Sequence, residues 1–285
     1  MLSKEFIRHL ENLLSEGIFS VKPLSGGDIN EVFLLTTNNG ELVVKLNSAS
    51  RFPGMFEKEA RGLQELGKAN VFKIPKVLHF GNDTDLSFLL LEYIKPRNQS
   101  ANFWSVFGEQ LAILHQRSKP YFGLDIDNYI GSLPQYNGKY SSVLEFYINQ
   151  RLQPQFDIAL RKGFVFQNIE RFYKNIESEI PEEESGLIHG DLWNGNFIVD
   201  NKGLPCLIDP AVAYGPREMD IAMMHLFGGF DQELFLVYNE IFPLTKGWKG
   251  RIEIWQLYYL LVHLNLFGAS YLPKIQLILE KYSNS

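Results

Sequence analysis

Asp191, Asn196 and Asp209 are oxygen-bearing side chains at a spacing that suits phosphoryl transfer. They lie in the run His189-Gly190-Asp191-Leu192-Trp193-Asn194-Gly195-Asn196 and in Ile208-Asp209-Pro210. A carboxamide thus follows the first carboxylate by five residues, and a second carboxylate comes thirteen residues later. Moving the terminal phosphate of ATP requires one carboxylate to orient and deprotonate the attacking hydroxyl. It also requires oxygen ligands that hold magnesium (Mg2+) on the nucleotide phosphates. The pattern predicts Asp191 as catalytic base and Asn196 and Asp209 as metal ligands. A turn or helix-cap role would explain Asp191 alone, but not the other two at these offsets. His189 is expected to brace the loop rather than to titrate in the reaction.

A phosphate grip is expected upstream. Ser25-Gly26-Gly27-Asp28-Ile29-Asn30 separates two strand-like runs, and paired glycines such as Gly26 and Gly27 let backbone N–H groups approach phosphate oxygens closely. Lys45 sits eighteen residues beyond Gly27, inside the apolar run Leu42-Val43-Val44-Lys45-Leu46. An unpaired charge there would be costly to bury, so a carboxylate partner is required. Glu59, on the next predicted helix, is the expected partner, with Glu57 the alternative. The segment Glu92-Tyr93-Ile94 is placed as an interlobe connector whose backbone meets the adenine edge. Gly62-Leu63-Gln64-Glu65-Leu66-Gly67-Lys68 matches most of a P-loop, but Ala69 replaces the final hydroxyl residue and the run reads as helix. No H-E-x-x-H, C-x-x-C or G-x-S-x-G pattern occurs, which removes metalloprotease, zinc-module and serine-hydrolase readings.

The bulk composition agrees with a soluble globular protein with ample core: 285 residues, 45% hydrophobic and 21% charged. A net charge of −6 without a basic run argues against nucleic-acid binding. The single cysteine, Cys206, excludes an intrachain disulfide, lies in an apolar run and is expected to be buried and inert. The N-terminus has no signal-like apolar stretch, and the apolar segment 257–267 is interrupted by His263 and Asn265. A cytoplasmic monomer without membrane or nucleic-acid partners is expected. The acidic patch Glu182-Glu183-Glu184 reads as a solvated loop.

These residues need elements to position them. Residues 4–14 carry an amphipathic helical pattern, 19–24, 31–37 and 42–46 read as strands, and Asn38-Asn39-Gly40 marks a hairpin between the last two. A helix is expected after Pro53, with Phe56, Ala60, Leu63 and Leu66 at helical spacing. Strands at 76–80 and 86–94 then flank a Gly81-Asn82-Asp83 turn, which makes a sheet with one helix laid on it. Beyond 102, helices are expected at 103–117, 141–151, 154–162, 166–179, 217–228, 231–241 and 251–268. Short strands at 187–189, 197–199 and 204–208 bracket the catalytic run. The fold class expected is α+β and bilobal. Residues 1–95 form an N-terminal nucleotide-binding lobe with a connector near 92–96, and 96–285 form a mostly helical catalytic lobe.

With these residues in place, the chain resembles the fructosamine kinases (ketosamine-3-kinases), relatives of the aminoglycoside and choline kinases, over nearly its whole length. The resemblance rests on Gly26-Gly27 with Ile29-Asn30, Phe56 with Glu59-Ala60, and Glu92-Tyr93. It continues through His115, Phe122-Gly123-Leu124 and Asn128. Its most specific parts are 189–196 with Trp193, Ile208-Asp209-Pro210-Ala211 with Tyr214-Gly215, and Arg217-Glu218 with Asp220. It implies a bilobal protein-kinase-like fold, with ATP and magnesium as cofactors. The acceptor would be the C3 hydroxyl of a ketosamine, free or on a glycated protein. Asp191 would be the base, Lys45 and Glu59 the phosphate-side pair with Gly26, Gly27 and Asn30, and Asp220 the buried support of the catalytic loop. Trp193 and Tyr214 are candidate walls of the acceptor pocket, with core packing their competing role. Pro210-Ala211 in place of Phe-Gly argues against an activation loop controlled by phosphorylation. The alternatives are an aminoglycoside- or choline-type hydroxyl kinase and a non-catalytic pseudokinase.

Overall fold

The computed structural model describes residues 2–24 and 29–283. Helix α1 (Lys4–Leu14), capped by the Ser3 hydroxyl on the Phe6 N–H, precedes a sheet built from β1 (Ile18–Pro23), β2 (Glu31–Thr37), β3 (Gly40–Ser48), β4 (Val77–Asp83) and β5 (Leu86–Glu92). The strand order is β1-β2-β3-β5-β4, and all neighbours are antiparallel. Helix α2 (Met55–Lys68) is inserted between β3 and β4.

Strand alternation decides which residue faces which helix. Val44, Leu46, Phe88 and Leu90 face α1, where Phe6 and Leu10 pack on them. Leu89 and Leu91 face α2 and meet Phe56, Ala60 and Leu63. Lys45, next to Val44, is thereby turned to the α2 side. The expectation of one helix on the sheet is corrected: α1 and α2 cover opposite faces, because β5 is apolar on both. The β4–β5 turn also differs from the sequence reading. Gly81 pairs with Phe88 within the ladder, and the turn falls at Thr84-Asp85. The Phe88 ring occupies the space beside Gly81, and Asp85 accepts from the Ser50 N–H at 2.8 Å and from the Ser48 hydroxyl at 2.9 Å.

The C-terminal lobe opens with α3 (Phe103–His115), followed by a hairpin of β6 (Asn128–Ile130) and β7 (Leu133–Gln135) that the sequence reading did not contain. Next come α4 (Val143–Phe146), a π-helical turn (Tyr147–Leu152), α5 (Gln153–Arg161) and α6 (Ile169–Ile176). The segments that carry Asp191 and Asp209 hang on two small ladders. One pairs β8 (Gly186–Ile188) with β11 (Ala213–Gly215), and the other pairs β9 (Phe197–Val199) with β10 (Pro205–Leu207). Strand β11 was not anticipated. Helices α7 (Glu218–Phe227), α8 (Gln232–Ile241), α9 (Trp248–Phe267) and α10 (Leu272–Ser283) complete the body. Helix α10 was also missed, although Ile275, Ile278, Leu279 and Tyr282 recur at helical spacing and are buried. The main core forms around α9, buried from Ile254 to Val262. Among the described residues, no helix is long and apolar enough to cross a membrane.

Helices α3 and α8 cross so closely that a Cβ added at Gly108 would stand 2.3 Å from the Leu234 carbonyl oxygen, whereas one added at Gly67 meets open space. Alanine ordinarily exceeds glycine in a helix by about 1 kcal/mol. Gly67→Ala is therefore expected to raise stability by roughly 0.5–1 kcal/mol and Gly108→Ala to lower it by about 1–3 kcal/mol. The two would shift thermal unfolding in opposite directions. A higher unfolding temperature for Gly108→Ala would contradict the crossing.

Candidate active site

The segment after β8 is held mainly through its backbone. The His189 and Gly190 N–H groups each donate to Asp220, at 2.8 Å, one to each carboxylate oxygen. Asp220 lies in the first turn of α7, fully buried, and His115 Nε2 donates to it at 3.2 Å. The Tyr259 hydroxyl donates to the Gly190 carbonyl at 3.1 Å. Gly190 has φ +81°, and a Cβ there would lie 2.1 Å from the Ala211 carbonyl oxygen, so only glycine allows the two segments to approach. His189 accepts at Nδ1 from the Asp191 N–H and donates from Nε2 to the Ile208 carbonyl, at 3.3 and 2.9 Å. Burial holds its pKa below the usual histidine range, so a neutral imidazole braces the loop.

Asp191 and Asn196 meet directly. Asn196 Nδ2 donates to the Asp191 carbonyl at 2.8 Å and to its Oδ2 at 3.0 Å. The Ile208 N–H donates back to the Asn196 carbonyl at 3.0 Å, which brings Asp209 alongside. Lys45 Nζ reaches Glu59 Oε1 at 2.7 Å and Asp209 Oδ1 at 2.9 Å, so β3, α2 and the C-terminal lobe converge on one ammonium. Glu59, not Glu57, is the partner; Glu57 pairs with Arg61 on the surface. Burial alone would depress the Lys45 pKa, but Asp209 and then Glu59 outweigh it and raise it above the ordinary range. Burial raises the Asp191 pKa to about 7, helped by Asp209 and Asp220 and opposed by the Asn196 hydrogen bond. Asp209 has a left-handed backbone, φ +53°, an uncommon conformation that aims its side chain.

These groups open on one cavity of about 220 Å³. Asn30, Lys45 and Glu59 line one side, and Asp191, Trp193, Asn196 and Asp209 the other. Trp193 is 39% exposed at its edge. Asn30 also accepts from Asn47 Nδ2 at 3.1 Å. Gly26 and Gly27 lie outside the described residues. Glu92, Tyr93 and Ile94 are not among the lining residues. The Glu92 carboxylate is taken up by Lys73 at 2.7 Å and by the Lys76 N–H at 3.1 Å. Tyr214 also stands outside the cavity wall: it is buried in β11, its hydroxyl donates to Glu65 at 3.0 Å, and Lys119 lies over its ring. Core packing, the competing role, is the one this environment supports. The sequence reading missed the wall made by Asn128, Tyr129, Ile130 and Gly131 and by Met223, His263, Leu266 and Phe267. His263, a polar interruption of an apolar helical run, was the one available signal.

The donor set suits a hard cation. With Asn196 Nδ2 committed to Asp191, its Oδ1 is the atom left for a ligand role. With Asp209 Oδ1 on Lys45, Oδ2 remains, on a side chain 40% exposed. One carboxylate and one amide oxygen fit magnesium, which keeps waters and takes further oxygens from phosphates. Among the described residues, no group of three or more His, Cys, Asp or Glu side chains forms a metal cage.

Asp220→Ala would remove the two oxygens that accept three charge-assisted hydrogen bonds and leave buried donors unmet. It is expected to lower stability by roughly 3–5 kcal/mol, read as a lower denaturant midpoint. A midpoint close to that of the unaltered protein would show that the loop holds itself.

Comparison with known proteins agrees with this geometry. The family model described as Fructosamine kinase matches residues 2–285. A protein named "Probable ketoamine kinase" from Enterococcus faecium is 38% identical over 270 residues, covering 92% of this chain and 95% of that one. A crystal structure from Thermobifida fusca, provisionally assigned as a fructosamine-3-kinase, superposes with a TM-score of 0.88 at 31% identity, covering 100% of both chains. The aminoglycoside phosphotransferase APH(4)-Ia shares the fold at a TM-score of 0.64 and 15% identity, over 99% of each chain. On the match of the family model and the identity to these relatives, the chain belongs to the fructosamine kinase family.

Proposed function

We propose that the protein transfers the terminal phosphate of ATP to the C3 hydroxyl of ketosamines. The observation that carries this is the convergence of Lys45, Glu59 and Asp209 on one side of a cavity whose other side presents Asp191 and Asn196. In this reading Lys45, fixed by Glu59, anchors the nucleotide phosphates, with Asn30 and the glycines Gly26 and Gly27 on the same side. Backbone of 92–94 at the connector meets the adenine, and the division between lobes falls near 92–96. Asn196 Oδ1 and Asp209 Oδ2 would hold magnesium, which supplies charge neutralisation on the phosphates.

Asp191 is the base. Its carboxylate, oriented by Asn196, accepts the proton of the acceptor hydroxyl as that oxygen bonds to the γ-phosphorus and the bond to the β–γ bridging oxygen breaks. Positioning and electrostatics do most of this work. Trp193, at the cavity edge, borders the acceptor. A phosphate at C3, next to the C2 carbonyl, makes an unstable product that releases the amine, which is a deglycation step. Small ketosamines and ketosamines on glycated proteins are the acceptors proposed, for a monomer acting in the cytoplasm without nucleic-acid or membrane partners.

Asp191→Asn is expected to lower kcat by about 10²–10⁴-fold with the Kd for ATP little changed; unaltered turnover would remove Asp191 from the reaction. The substrate assignment is checked by kcat/KM for fructosyl-lysine, ribulosyl-lysine and an aminoglycoside. Ketosamines should be preferred, and turnover of the aminoglycoside alone would transfer the protein to another alcohol-kinase class.

A further inference from the structure

A second polar network lies in the C-terminal lobe and takes no part in the catalytic-loop support or the lysine cluster. It begins at Arg151 on the π-helical turn, a type of irregularity frequent at functional sites. Arg151 is 1% exposed. Its Nη2 donates to Asn137 Oδ1 at 2.8 Å, and Asn137 Nδ2 donates to Asn128 Oδ1 at 3.0 Å. Asn128 Nδ2 then donates to the Val212 carbonyl at 2.8 Å. Gln135 Nε2 donates both to Asn128 Oδ1, at 2.8 Å, and to the Ala211 carbonyl, at 3.0 Å, while its Oε1 accepts from the Tyr258 hydroxyl at 2.7 Å.

The direction of this chain is fixed at both ends. A guanidinium only donates and a backbone carbonyl only accepts, so no amide between them can flip without placing like groups face to face. Arg151 makes no ion pair with a carboxylate among the described residues; carbonyl and amide oxygens, with the rings of Phe146 and Tyr258, receive its charge. Apolar side chains of similar volume would fill such a space at lower desolvation cost. A fully satisfied polar chain instead admits one arrangement. The parts it joins are the β6–β7 hairpin, whose Asn128–Ile130 strand borders the cavity, and Ala211-Val212, immediately beyond Asp209-Pro210.

We propose that Asn128, Gln135, Asn137 and Arg151 are positioning residues for phosphoryl transfer. They set the spacing between the hairpin, which lines the cavity, and the segment between β10 and β11 that carries Asp209. This rests on the kinase reading above.

The test uses Gln135→Glu and Asn128→Asp, near-isosteric changes that each turn a donating amide into an oxygen facing a carbonyl. Tyr258→Phe accompanies them; it removes one hydroxyl and keeps the ring. Acceptor KM, kcat, nucleotide Kd and the ratio of ADP formed to acceptor phosphorylated are measured with whichever alcohol the unaltered protein phosphorylates. A wrong substrate assignment would therefore appear in the unaltered protein and leave the comparison intact. An unaltered protein that phosphorylates no alcohol would end both readings. The expected result is a rise of about tenfold or more in acceptor KM or in the ADP ratio for Gln135→Glu and Asn128→Asp, and about threefold for Tyr258→Phe, with nucleotide Kd within about twofold. Should the first two fail to fold, Tyr258→Phe decides. Acceptor KM and ADP ratio within about twofold of the unaltered protein, with only Vmax falling in step with the folded fraction, would make the chain purely structural and overturn the proposal.

Discussion

A buried ammonium between carboxylates from separate parts of the chain is the constraint on which the cleft depends. Lys45 has almost no access to water, and an ammonium in that position without partners would cost several kcal/mol. Glu59 comes from the helix on the same face of the sheet, and Asp209 from the opposite lobe. The contact therefore fixes the orientation of α2, the register of β3 and the approach of the Asp209 segment at once. Both carboxylates border the cavity, but the Glu59 side chain is 11% exposed and that of Asp209 40%, so the lysine is held more closely on the helix side.

The Asp191 side of the cavity is assembled by a different means. Asn196 and His189 hold Asp191 itself, and further order is imposed on the backbone around it. Asp220 receives the N–H groups of two successive residues, Tyr259 holds the Gly190 carbonyl, and a neutral His189 ties the loop to Ile208. Burial of these polar groups is tolerable because each finds a partner. The outcome is a loop whose functional oxygens face the cavity while its hydrogen-bonding backbone faces the core. Burial first, and then the negative charge of Asp209 and Asp220, lifts the Asp191 pKa; a cation on Asn196 and Asp209 would relieve the charge contribution.

Around this centre, small ladders do what a large sheet does in the N-terminal lobe. The β8–β11 and β9–β10 pairs each span three residues, too few to be stable alone. They persist because Leu187, Leu192, Leu207, Val212 and Tyr214 are buried in one apolar cluster with α3 and α7. The short β6–β7 hairpin has less apolar support, and its amides are bonded instead to Ala211 and Val212. Tyr129 reaches across to the Pro53 carbonyl, so the hairpin touches both lobes.

Much of this was legible in the residues themselves. Alternation in 31–37 and 42–46 gave strands, and its phase is what turns Lys45 away from Val44. Apolar spacing gave α2 and placed Glu59 beside its buried stripe. The offsets among Asp191, Asn196 and Asp209 marked the chemistry, because a loop and two short strands of fixed length limit how far those groups can separate. Legibility ended where a role depends on a partner distant in sequence. Tyr214 looked like a pocket wall until its hydroxyl was found on Glu65. Glu92 was read for its backbone alone, and only the fold shows its carboxylate paired with Lys73 and the Lys76 N–H. The wall at 128–131 has too few residues to show a period, and β11 exists only because β8 lies beside it. The sequence by itself determined the periodic elements and the spacing of the candidate groups, since both are properties of residues near one another in the chain. Only the tertiary structure decided which faces meet across the cleft, since that depends on closing long loops against a shared core.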